Sequence, residues 1–157
     1  MPMLGKLKSI SGILPHQIRI KGTIFMLSKV TLFYSPIIIS TLSVLSIFLA
    51  YRVVQIRAKE HIGIGDGENP IMHRTIRVQA NLLENMIPFS GLFLIFEINQ
   101  GNHWVLIITG ILFTVSRFLH AQGLTASAGR TFGRYYGTLF SWLTIVFLAG
   151  ANIYLIV

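Results

Sequence analysis

Residues 32–54 read LFYSPIIISTLSVLSIFLAYRVV: one apolar stretch with a single charge, Arg52, close to its end. A helix that crosses a bilayer needs about 20 mostly apolar residues, and this stretch supplies them. The rest of the chain has the same character. Of its 157 residues 53% are hydrophobic and only 11% charged, with a mean hydropathy of +0.68, whereas soluble domains carry about 25% charged residues. Such a chain cannot cover a water-facing globule with polar groups. That excludes an ordinary cytosolic enzyme and a disordered tail, and the absence of cysteine excludes a disulfide scaffold. The length suits one domain, and the expected class is an all-α integral membrane protein.

Working outward, three more stretches reach spanning length: residues 75–98 (TIRVQANLLENMIPFSGLFLIFEI), 104–123 (WVLIITGILFTVSRFLHAQG) and 135–157 (YYGTLFSWLTIVFLAGANIYLIV). Four spans predict a four-helix membrane bundle. Gly63, Gly65, Gly67 and Pro70 break any helix in the first connection, where Asp66-Gly67 signals a turn. The second connection, 99–103, is short and has no Lys or Arg. The third, LTASAGRTFGR, is glycine-rich and basic.

Lys and Arg outnumber Asp and Glu by 13 to 5. The cations sit at the ends of apolar runs and form no stripe on a polar surface, so nucleic acid is not the expected partner. Arg52, Arg57, Lys59, Arg74, Arg77, Arg117, Arg130 and Arg134 all fall on the side of the first and third connections, which the positive-inside rule places in the cytoplasm. Residues 1–31 form a separate basic segment whose Lys6, Lys8, Arg19, Lys21 and Lys29 oppose that rule. A natural start at Met26 would remove most of the conflict; a basic tail lying on the membrane is the other reading. No apolar core of signal-peptide length follows the early lysines.

Arg74, Arg77, Asn81, Glu84 and Pro88 follow helical spacings of three and four and share a face of the second span. A charge at a span's centre costs about 2.5–3.5 kcal/mol on insertion scales, so this face is expected to meet protein or water. Glu84 either pairs with an arginine of another helix as a structural seam or belongs to a ligand site; Pro88 reads as a packing kink. Arg117 and His120 share a face at the end of the third span, and Arg130 and Arg134 stand at the entrance to the fourth beside Tyr135 and Tyr136. There is no HExxH motif, no histidine pair at i,i+4 and no carboxylate cluster, so no metal is expected. Arg52, Arg74, Arg77, Arg117 and Arg134 together predict a basin for a compact polyanion with carboxylates, which arginine grips through paired hydrogen bonds.

RVQANLLENMIPF (77–89), preceded by GDGENPIMHRTI, resembles the signature of the MAPEG superfamily, the membrane-associated proteins in eicosanoid and glutathione metabolism. RFLHAQGL (117–124) and GRYYGTLFSWLT (133–144) are similar to its later motifs. The resemblance runs through residues 33–157 and is nearest to small bacterial members. It implies a homotrimer in a bacterial inner membrane, with glutathione as co-substrate bound between neighbouring subunits near the cytoplasmic face. By the same resemblance Arg52, Arg77, Asn81, Glu84, Arg117 and His120 match glutathione-binding positions. Arg134 matches the arginine that stabilises the thiolate, with Arg130 as its rival. Ala80 stands where several eukaryotic enzymes have arginine, and Leu124 where some have tyrosine; the resemblance therefore carries no prostaglandin or leukotriene specificity.

The implied activity is glutathione transfer or peroxide reduction. A guanidinium lowers the thiol pKa, and the thiolate attacks a lipophilic electrophile or lipid hydroperoxide. A chain without cysteine then still performs sulfur chemistry. The alternative is a non-catalytic membrane trimer that binds lipid or serves as a scaffold, in which the stripe only locks subunits together. A small transporter is disfavoured by four spans without an inverted repeat.

Overall fold

The computed structural model describes residues 32–127 and 129–157. The basic segment 1–31 and the question of a start at Met26 lie outside the described residues. Four helices follow one another: α1 (Tyr34–Glu60), α2 (Pro70–Ile98), α3 (His103–Ala126) and α4 (Phe132–Tyr154). Each is long and apolar enough to cross a membrane, and among the described residues there is no strand. The chain is an integral membrane protein of the expected all-helical class.

The helices outrun the apolar stretches at the basic end. α1 continues past residue 54 to Glu60 and stops where His61 turns left-handed at φ 53°. The first connection turns through Gly65 and Gly67, both at positive φ. Pro70 closes this helix-free connection. It occupies the first turn of α2, where its missing N–H is no loss, and Asn69 caps that turn by accepting from the N–H groups of Ile71 and Met72 at 2.9 and 3.1 Å. α4 begins at Phe132 under a Thr131 cap and ends at Tyr154, short of the expected residue 157. α2 runs without interruption through Pro88.

α2 packs on all three other helices, whereas α1 and α4 do not touch. Phe89 of α2 stacks on Phe113 of α3 with ring centroids 3.7 Å apart, and Leu42, Phe93, Leu106 and Leu148 close the core around them. Lipid is as apolar as these side chains, so close packing and hydrogen bonds between helices, not escape from water, hold such a bundle. The α3–α4 seam shows both. Gly133 and Gly137 form a small-x-x-x-small pair on α4. A Cβ at Gly137 would stand 2.6 Å from the Ser116 carbonyl oxygen, and one at Gly123 would stand 2.5 Å from the Arg134 nitrogen. The Ser116 and Ser141 hydroxyls meet across the seam at 2.6 Å. The Asn152 amide donates to the Leu92 carbonyl at 3.0 Å, tying α4 to α2.

α1 has no side-chain cap of its own. Its first amides are capped from α2 instead. Glu97 is 8% exposed and accepts from the N–H groups of Phe33 and Tyr34 on Oε1 at 2.6 and 2.7 Å, and from Ser35 on Oε2 at 2.6 Å. The positive end of the α1 dipole faces this carboxylate. Glu97, not Glu84, is therefore the buried acid of the bundle.

Candidate functional site

The opposite end of the bundle gathers the start of α2, the end of α3 and the start of α4. Their close approach leaves a cleft of about 290 Å³ lined by His73, Arg74, Arg77, Asn81, His120, Leu124 and Arg134. His73, Arg77 and Asn81 recur every four residues and so stand one above another on α2. The glycine seam lets Gly123 and Gly137 draw α4 against α3, which sets Arg134 beside His120. The cleft is lined by three guanidinium groups and two imidazoles, with no carboxylate in its wall.

Arg117 lies directly behind this cleft. It is 2% exposed. One guanidinium nitrogen donates to Asn81 Oδ1 at 3.0 Å, and the other donates to the Gly137 carbonyl at 2.6 Å. Its Nε has no partner among the described residues, and its carbon sits 5.6 Å from the Phe113 ring centroid. No carboxylate pairs with it: the ion pairs of the described residues are Lys59–Glu60, His73–Asp66 and Arg77–Glu84. Because arginine only donates, Asn81 must turn its oxygen toward Arg117, which leaves its amide hydrogens as donors for the cleft. Asn85 holds the same turn of α2 by donating to the Asn81 carbonyl at 2.8 Å.

The sequence-derived residues thus divide. Arg77, Asn81, His120 and Arg134 meet in one cleft, with Arg117 behind it. His120 is 4% exposed. Glu84 does not reach an arginine of another helix; it lies 3.7 Å from Arg77 of its own helix, two turns away, and both side chains are about half exposed at the outer face of the chain. Arg130 lies outside the cleft, 4.3 Å over the Tyr135 ring. It shares with Arg134 a neighbouring hollow that runs down to Leu139 and Trp142. Arg52 belongs to neither; it lines a groove between α1 and α3. One chain therefore does not assemble all five arginines into the single basin expected from sequence.

His73 is the lining residue that the sequence reading missed. Its signal was the four-residue spacing to Arg77. It also fastens the first connection: Nδ1 lies 2.7 Å from Asp66 Oδ2. That hydrogen bond, followed by the Glu68 N–H, holds the Asp66 carboxyl below its ordinary range. The contact is accordingly present at neutral pH and is lost as acid protonates the carboxylate below that range.

Comparison with known proteins agrees with this architecture. The chain is 26% identical over 106 residues to the inner membrane protein YecN of Escherichia coli strain K12, covering 67% of this chain and 79% of YecN. YecN of E. coli O6:H1 matches to the same extent. The model of the MAPEG family matches residues 35–154, which takes in all four helices but for Tyr34 at the start of α1, and every residue of the cleft. With helices, cleft and family model coinciding over the same residues, the chain belongs to the MAPEG family.

Proposed function

We propose that this chain binds glutathione in the cationic cleft and activates its thiol toward lipophilic electrophiles or lipid hydroperoxides, as a glutathione transferase or peroxidase of the inner membrane. The observation that carries this reading is Arg117, a nearly fully buried guanidinium with no carboxylate partner among the described residues, set behind a cleft lined by Arg74, Arg77 and Arg134. Burying a charge without a counter-ion costs several kcal/mol. An anion in the cleft offsets that cost, and glutathione brings two carboxylates.

The chemistry assigns the parts. Arg74 and Arg77 meet carboxylates. The Asn81 amide, oriented by Arg117, donates to the peptide or a carboxylate. Glu84, at the outer face beside Arg77, lies outside the cleft of one chain and pairs with Arg77 there. His120 closes the buried wall. Arg134, at the mouth and at the N-terminal end of α4, stabilises the sulfur as thiolate, with Arg130 beside it. The thiolate forms a carbon–sulfur bond with an electrophile dissolved in the bilayer, or attacks the peroxide oxygen, and the displaced electron pair leaves with the departing group. At about 290 Å³ the cleft of one chain is at the lower edge of small-molecule sites, roughly 300–1,000 Å³. A homotrimer, in which a neighbouring subunit adds the missing wall, fits that shortfall. The basic ends of the bundle face the cytoplasm, where glutathione is available.

Adding glutathione to the detergent-purified protein is expected to raise the ultraviolet absorbance of thiolate at neutral pH. Arg134→Ala should remove at least about nine-tenths of that signal, one pKa unit being worth about 1.4 kcal/mol, while the oligomer stays intact by size exclusion. An unchanged signal in Arg134→Ala rejects its role. Dispersal of the oligomer would instead favour the structural reading of the stripe.

A further inference from the structure

Arg52 stands apart from the cleft, at one end of a cavity of about 870 Å³ between α1 and α3. Val44, Leu45, Phe48 and Leu49 form one wall, and Phe118 and Ala121 form the other. Of the three hydroxyls that line the groove, those of Thr41 and Thr125 are spent within their own helices, donating to the Ile37 carbonyl at 2.8 Å and the Ala121 carbonyl at 2.7 Å, and Ser40 lies at the end away from Arg52. The interior therefore offers hydrocarbon surface. Arg52, accompanied by Gln122, supplies the polar end. Its side chain is partly buried, and among the described residues it has no ion pair or hydrogen bond.

Length and charge select the occupant. From Thr41 to Arg52 the helix rises roughly 17 Å, close to the ~15 Å depth of one leaflet's hydrocarbon. A second copy of the chain has no spare carboxylate for Arg52 at that depth. Glu97 lies at the far end of the bundle in the α1 cap, Glu84 is paired with Arg77, and Glu60, Asp66 and Glu68 lie at or beyond the end of α1. A bilayer lipid with a net negative head group supplies both the chain and the charge.

We infer that the α1–α3 groove is a phospholipid site, holding one acyl chain of an anionic lipid along Val44, Phe48 and Phe118 with the phosphate on Arg52. Arg52 then serves the lipid and not glutathione. This does not rest on the glutathione reading, and the two fail separately.

The test is native mass spectrometry of the full-length protein after equilibration in mixed micelles with equal amounts of phosphatidylglycerol and phosphatidylcholine of the same chain length. One basic residue near the membrane surface is worth about 1 kcal/mol toward anionic lipid, so retention of phosphatidylglycerol is expected to exceed that of phosphatidylcholine by about fivefold. Arg52→Gln should bring the ratio to near unity, and Arg52→Lys should keep most of it. Glutathione affinity should be the same in both variants as in the parent. Absence of a preference in the parent overturns the site, as does an undiminished preference in Arg52→Gln. Weakened glutathione binding in Arg52→Gln would place the arginine with the cleft, and a dispersed oligomer would place it at a subunit contact; either result overturns the inference.

Discussion

Replacing Arg117 by methionine is expected to leave the bundle almost as stable as the parent while weakening glutathione binding by about tenfold or more. The two effects separate because the guanidinium is held by neutral groups only. Methionine fills nearly the same volume with hydrocarbon, and removing a buried, unpaired cation relieves a desolvation cost of several kcal/mol. The Gly137 carbonyl keeps the Ser141 hydroxyl as a donor at 2.8 Å, and the Asn81 amide is free to turn toward the cleft. Little is left unsatisfied. Binding suffers twice: the positive charge behind the cleft is gone, and Asn81 is no longer held with its amide hydrogens toward the cleft. A charge-assisted hydrogen bond is worth roughly 1.5–3 kcal/mol, which sets the tenfold floor. Arg117→Ala should behave differently, because it opens a cavity of the kind that costs about 2–5 kcal/mol when a Met-sized side chain is truncated in a core. Thermal unfolding in detergent, run beside a glutathione titration, reads both quantities. If Arg117→Met unfolds as readily as Arg117→Ala yet binds glutathione normally, the arginine is structural and the argument from its missing counter-ion is wrong.

Glu97→Ala is expected to cost about 3 kcal/mol or more of stability and to leave glutathione binding untouched. Three backbone N–H groups at the start of α1 lose their acceptor together. Each charge-assisted bond is worth roughly 1.5–3 kcal/mol, and partial rescue by interfacial water lowers the sum. For a chain of this size the loss corresponds to roughly 6–12 °C in Tm. Glu97→Gln should fall between, since its amide retains one acceptor oxygen and sets its NH2 group against an N–H. Binding is spared because twenty residues of α2, about 30 Å of helix, separate Arg77 from Glu97. A Tm within 2 °C of the parent in Glu97→Ala, measured with roughly 1 °C precision, is too small for the cap described here.

The contrast between these two residues shows what the sequence carries. Four spans were legible because apolar length is nearly sufficient to specify a membrane helix. The helix-two stripe was legible because spacing fixes a face. Arg77, Asn81, His120 and Arg134 accordingly meet where motif and spacing pointed. Spacing says nothing of which face a neighbouring helix covers. Arg117 reads as one more cation at a helix end until the glycines of α4 bring the Gly137 carbonyl against it. The small-x-x-x-small pair Gly133 and Gly137 was the available signal for that approach. Glu97 was overlooked for another reason. The positive-inside rule counts only Lys and Arg, whereas an acid at the end of one span lies beside the start of the antiparallel helix before it, where four amides need acceptors. Glu84 is the reverse case: its spacing puts it on one face with Arg77, and the partner it finds is Arg77 itself. The separation of Arg52 from the cleft depends on which side of α3 meets α1, and no local pattern encodes that.

The most direct measurement is a calorimetric titration of the detergent-purified protein with glutathione and, in parallel, with glutathione whose two carboxylates are esterified. The cationic cleft predicts saturable binding of the free tripeptide and binding of the diester weaker by about 30-fold or more, as expected when one side of a buried charge pair is lost. Equal affinity for the two, or no saturable binding of glutathione at all, would contradict it.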